Sequence, residues 1–169
     1  MKKYLIFIFL LSGPLVLAQG NNQHVKEQAE ATAKALIEDD YETLLKFTYP
    51  KVIELVGGRD QMISLIKKGK IEMKEQGITF EQVTIGEPTP IVTAGNEIHC
   101  LIPQTILMKV PNGKVRSESH LLAVSQNSGE HWFFIDTVKL NKDNIKMVVP
   151  NFNEALQLPD KKEPQFIAD

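Results

Sequence analysis

The chain predicts an α+β domain, with three N-terminal helices followed by a hairpinned antiparallel sheet, on three observations. Apolar residues recur at steps of three and four before Gly77 and at steps of two after it. Turn formers at Gly86-Glu87-Pro88, Asn112-Gly113 and Asn127-Ser128-Gly129 cut the second half into strand-length pieces. The 169 residues are 43% hydrophobic and 24% charged, the balance of one ordinary globular domain rather than of a membrane bundle or a disordered tail. Helices gathered ahead of the strands, instead of alternating with them, point to α+β rather than α/β.

Residues 1–18 read as a signal peptide. Lys2 and Lys3 precede an apolar stretch at 4–11, a breaker at Ser12-Gly13-Pro14, and Leu15-Val16-Leu17-Ala18 before the polar Gln19-Gly20. The stretch is too short and interrupted for a spanning helix, and the small residues Val16 and Ala18 place the expected cleavage after Ala18. The expected mature chain is exported, periplasmic or extracellular, and free of the membrane. Losing Lys2 and Lys3 leaves 17 basic against 21 acidic residues, which argues against a nucleic-acid partner. Cys100 is the only cysteine, so no internal disulfide can form and the core must supply the stability.

Val25, Ala29, Ala33, Leu36 and Ile37 make one apolar stripe on a first helix over 22–39. Asp39-Asp40 opens a second segment with Tyr41, Leu44 and Leu45 on one side, expected to end by Tyr49 because a proline disfavours helical geometry in the residue before it. A third helix follows Gly57-Gly58, carries Met62, Ile63 and Ile66, and closes at Gly77. Its Lys67, Lys68, Lys70 and Lys74 read as a solvated face.

Strands are expected at 78–85, 90–93, 97–110, 114–125 and 132–140. With Asn112 and Gly113 as the two residues of a type I′ loop, Ile106 faces Ser119, Ile102 faces Ala123 and Thr105 faces His120. Cys100 then shares a face with Ile98 and Ile102, as a small buried hydrophobe. Both faces of this hairpin are partly apolar, so one should meet the helices and the other a second subunit, as a homodimer through the outer sheet face. Ile145 and Met147 suggest a last helical turn, and the domain is expected to span 22–150. Residues 151–169 form a C-terminal extension, its two-proline end at 159–169 read as a loose tail.

Three helices before a hairpinned sheet, the pair Asp40-Tyr41 opening the second helix, Pro50 closing it, and the turn Gly129-Glu130-His131-Trp132 into the last strand resemble the NTF2-like superfamily over 22–140. The resemblance implies a cone, a curved sheet wrapped around helices with a pocket at its open end. It implies no chemistry, since the superfamily holds isomerases, dehydratases, transport adaptors and non-catalytic exported domains. No enzyme motif of that family transfers residue by residue.

The residue types that carry chemistry are few. Asp136 stands in the apolar run Trp132-Phe133-Phe134-Ile135-Asp136, where a carboxylate either finds donors or has its pKa raised. If Ser125 pairs with His131, His120 lies opposite Asp136 as an acid–base pair; a register shifted by one puts Leu121 there instead. The competing reading is an aspartate satisfied at a strand end. Tyr41 and Tyr49 are candidate ligand-binding residues, with packing as the plainer role. The four histidines lack metal-ligand spacing, and no phosphate loop or other cofactor motif occurs. The expected function is a non-catalytic exported domain binding a small apolar ligand or a protein partner. An acid–base isomerase or dehydratase, and a homo-oligomeric structural protein, stay open as alternatives.

Overall fold

A computed structural model describes residues 15–168, with side chains from Asn22 onward. The expected signal peptide therefore lies outside the described residues, apart from the four that open the first helix. Among the described residues the chain forms five α-helices and a six-stranded antiparallel sheet.

Four helices precede the sheet: α1 (Leu15–Glu38), α2 (Tyr41–Phe47), α3 (Pro50–Leu55) and α4 (Arg59–Glu75). The additional one, α3, arises because Pro50 starts a helix rather than merely ending one; proline at the first helical position loses no hydrogen bond and has φ already set. Asp40 caps α2 by accepting the Thr43 N–H at 3.1 Å. α1 buries Val25, Ala29 and Ala33 of the predicted stripe against the sheet, while Leu36 is only half-buried and Ile37, expected to share the stripe, is exposed. α4 buries no residue fully and is flanked by Gly57, Gly58 and Gly77, all at positive φ. Its clearest polar tie is Lys70, whose Nζ donates to the Leu36 carbonyl at 2.8 Å and pairs with Asp39.

The sheet is built on the hairpin of β3 (Glu97–Val110) and β4 (Gly113–Ser125). β1 (Thr79–Ile85) and β2 (Val92–Ala94) share one edge of β3. β5 (Phe133–Asp136) and β6 (Gln165–Ala168) share the far edge of β4.

The hairpin register differs by two residues from the expected one: Val110 pairs with Gly113, Ile106 with Ser117, Ile102 with Leu121, and His120 with Pro103. Pro111 and Asn112 are the loop residues, and Asn112 lies at φ +67°. Proline's fixed negative φ followed by a left-handed residue is type II geometry, and it excludes the type I′ loop. A shift of two keeps every side chain on its expected face. Cys100, Ile102 and Leu121 accordingly sit in the inner core, where burial pushes the Cys100 thiol up to about 12.

The last long strand is also shorter than expected. It stops at Asp136, whose Oδ1 accepts the Val138 N–H at 2.8 Å and caps a 3-10 turn over Thr137–Lys139. β5 pairs so that Leu121, not His120, lies opposite Asp136.

The C-terminal extension is an integral part of the fold. Residues 145–158 cover the outer sheet face: Ile145 and Val149, at and just beyond the short α5 (Ile145–Val148), pack with Phe152 and Leu156 on Leu101, Leu122, Val124 and Ile135. The apolar outer face that suggested a second subunit is thus met within the chain. Beneath the same cover lie Glu97 and His99, both buried. His99 Nε2 is 3.2 Å from Glu97 Oε2, Gln126 Nε2 donates to Glu97 Oε1 at 2.7 Å, and His99 Nδ1 has no partner among the described residues. The tail 159–169, expected to be loose, ends in β6 against the start of β4.

Gly113 fits under β6 only without a side chain, since a Cβ there would come 2.3 Å from the Ile167 carbonyl oxygen, at a φ of +156°. Gly113→Ala is expected to lower stability by about 1–3 kcal/mol and to release β6, read as loss of amide-exchange protection at 165–168. Burial holds the His99 pKa below its ordinary 6.5, with Glu97 opposing. A depressed histidine contributes stability that is full above about pH 6.5 and is lost as the pH falls through the folded value. Urea unfolding at pH 7.5 and 5.5 is expected to show a larger loss for the native chain than for His99→Gln.

Candidate functional site

Between the helices and the inner face of the sheet lies a cavity of about 760 Å³. The helical wall includes Ala33 and Leu36 from α1, Leu44 from α2, Val52 from α3, and Met62 and Ile66 from α4. The sheet contributes Val83, Ile106, Leu121 and Phe134, which share the inward parity of their strands. The volume is in the range of small-molecule sites, and so is the character of the lining, mostly apolar with a few placed polar groups.

The polar groups gather where β3, β4 and β5 run side by side. Gln104 Nε2 donates to Asp136 Oδ2 at 2.7 Å and to Ser119 Oγ at 2.9 Å, and Ser119 Oγ is itself 3.4 Å from Asp136 Oδ2. With the Val138 N–H on Oδ1, the carboxylate accepts bonds on both oxygens. Protein surrounding Asp136 raises its pKa; the bonds from Val138, Ser119 and Gln104, and the more distant His120, act in the opposite direction. Solvent still reaches the carboxylate through the open cavity.

The candidate residues separate in space. Asp136 borders the cavity, but His120 has the opposite parity on β4 and lies in a second cleft with Glu118 and Lys162, formed where residues 159–164 cross between β5 and β6. Burial, then Lys162, lowers the His120 pKa, while Asp136 and Glu118 oppose the shift, and no hydrogen bond links His120 to Asp136. Neither tyrosine lines the cavity. The Tyr41 hydroxyl donates to Asp39 at 2.8 Å beside a surface groove, with Lys67 Nζ 5.1 Å from its ring centre. Tyr49 is buried under the C-terminal cover, edge-on to Phe133, and burial, then Glu97, raises its hydroxyl pKa.

Gln104 and Ser119 are site residues that the sequence reading passed over. Gln104 carried a signal: it interrupts the inward series Cys100, Ile102, Gln104, Ile106, where a buried polar side chain needs a partner. Comparison with models of known families, with curated proteins and with solved structures finds no match to this chain.

The geometry sets an expectation for titration. The Asp136 carboxyl, followed by carbon NMR, should titrate above the ordinary 3.8. Gln104→Leu, which removes a donor to the charged form, should raise it further, and His120→Gln, which removes only a more distant charge, should raise it by less.

Proposed function

We propose that this chain is an exported, non-catalytic NTF2-like domain whose cavity holds a small apolar ligand. The observation that carries the reading is the cavity itself, about 760 Å³ walled by apolar side chains from four helices and the inner sheet face. Burying a hydrocarbon surface there is worth roughly 25 cal/mol per Å² removed from water, so an apolar body supplies most of the affinity. Helices running ahead of a hairpinned sheet, with the hollow between them, are in keeping with the NTF2-like cone. The leader-like residues 1–18 support export.

An acid–base enzyme of isomerase or dehydratase type is the second reading. One observation favours it: Asp136 borders the cavity with its pKa raised. Against it, three protein donors already engage the carboxylate, and His120 lies on the other side of the sheet. Turnover of a substrate, abolished by Asp136→Asn, would replace the binding reading with this one.

The test of binding is a titration of the mature chain with diphenylhexatriene, a hydrocarbon fluorophore dark in water. Saturable emission at one dye per chain is expected, together with a severalfold weaker affinity in Met62→Trp, which fills the cavity from α4 while leaving the circular dichroism unchanged. Emission no greater than that seen with the unfolded chain would overturn the proposal.

A further inference from the structure

We infer that the ligand of this cavity carries a hydrogen-bond donor, an amine or a hydroxyl, on its apolar body and seats it at Asp136 and Gln104. The inference rests on the reading of the cavity as a ligand site and specifies the chemistry of its occupant.

The argument is a count of donors. Because a carboxylate only accepts, the Gln104 amide must turn its nitrogen toward Asp136, and both of its N–H groups are then spent, one on Asp136 and one on Ser119. The Gln104 Oε1 is left without a donor among the described residues. Ser119 directs its hydroxyl toward Asp136 Oδ2.

The two threonines of the wall are committed in the same way. Thr32 Oγ1 donates to the Gln28 carbonyl at 2.9 Å, and Thr48 Oγ1 donates to the Leu44 carbonyl at 2.8 Å, each one helical turn back. Of the polar side chains on the cavity wall, Gln104, Thr32 and Thr48 thus have their hydrogens committed to other protein groups, and the Asp136 carboxylate has none to give.

The charge points the same way. No lysine, arginine or histidine forms an ion pair with Asp136 among the described residues, so a negative group stands at the cavity wall without a cation. Lys139 also borders the cavity and is exposed, as Asp136 is, so a charge pair at either gains little and the donor count at the buried Gln104 decides. A ligand ending in an amine or hydroxyl supplies the missing hydrogens, and an ammonium also supplies the missing charge. A ligand ending in a carboxylate brings more lone pairs and a second negative charge, and gains no hydrogen bond from either acceptor.

The test displaces diphenylhexatriene from the mature chain with decylamine, 1-decanol and decanoate, which share one chain length and differ in the head group. The amine and the alcohol are expected to displace the dye at concentrations about tenfold or more below those needed for decanoate. Asp136→Asn, with dye displacement measured against that variant's own dye affinity, should shrink the lead of the amine. Should that variant fail to fold, lowering the pH until Asp136 protonates provides the test in the native chain with the amine and the alcohol, neither of which changes its protonation state there: the affinity of the amine falls relative to that of the alcohol. Decanoate binding as well as the amine would overturn the inference, as would a lead of the amine that survives in folded Asp136→Asn; in either case dye binding would leave the cavity reading standing. Absence of dye binding together with no response to any of the three compounds would remove both.

Discussion

The β3–β4 hairpin is apolar on both faces, and the rest of the molecule is arranged to answer that constraint. Ile102 and Leu121 on one side, and Leu101 and Leu122 on the other, are each buried in a separate cluster. A sheet of this kind cannot stand with one face in water, because burial of that apolar area is the main favourable contribution to folding. The helices take one side and the C-terminal residues 145–158 take the other, making three layers from one short chain.

The two sides are filled differently. On the outer face the cover is close, and even the polar pair Glu97 and His99 is enclosed with Phe152 stacked 6.4 Å from the imidazole. On the inner face, Val25, Ala29 and Ala33 of α1 close the sheet toward Trp132, but beyond them the helices stand off and leave the cavity. Asp136 sits where the two regimes meet: one oxygen of its carboxylate terminates β5 through the Val138 N–H, and the other collects Gln104 and Ser119 at the cavity wall. The same side chain ends a strand and sets the polarity of the hollow.

Much of this was legible in the sequence, and what was not has identifiable causes. The change of apolar period at Gly77 located the boundary between helices and sheet, because periodicity reports directly which face each element buries. The two-residue error in the hairpin left the faces correct, since Pro111-Asn112 and Asn112-Gly113 loops differ by an even step. The β4–β5 register was open because the connecting loop is set by side chains: Ser125 Oγ accepts the Gly129 N–H at 3.0 Å, and Asn127 Oδ1 accepts the His131 N–H at 2.9 Å. No local turn rule encodes those bonds. Phe152 and Leu156 were hidden in a polar stretch without period, and only the sheet they cover reveals their role. Tyr41 and Tyr49 looked alike on one expected helix, yet α2 ends at Phe47 and sends them to different surroundings.

The way α4 is attached has a consequence for the hollow beside it. A helix without a fully enclosed side chain, bounded by glycines at positive φ, costs less to peel away than an element with a buried face. Traffic into the interior need not disturb the hairpin: the chamber can breathe through its outermost wall while the strands that shape its floor stay paired. An occupant touching Met62 and Ile66 would in turn fasten that wall, so that filling the chamber and stiffening the helix become one event.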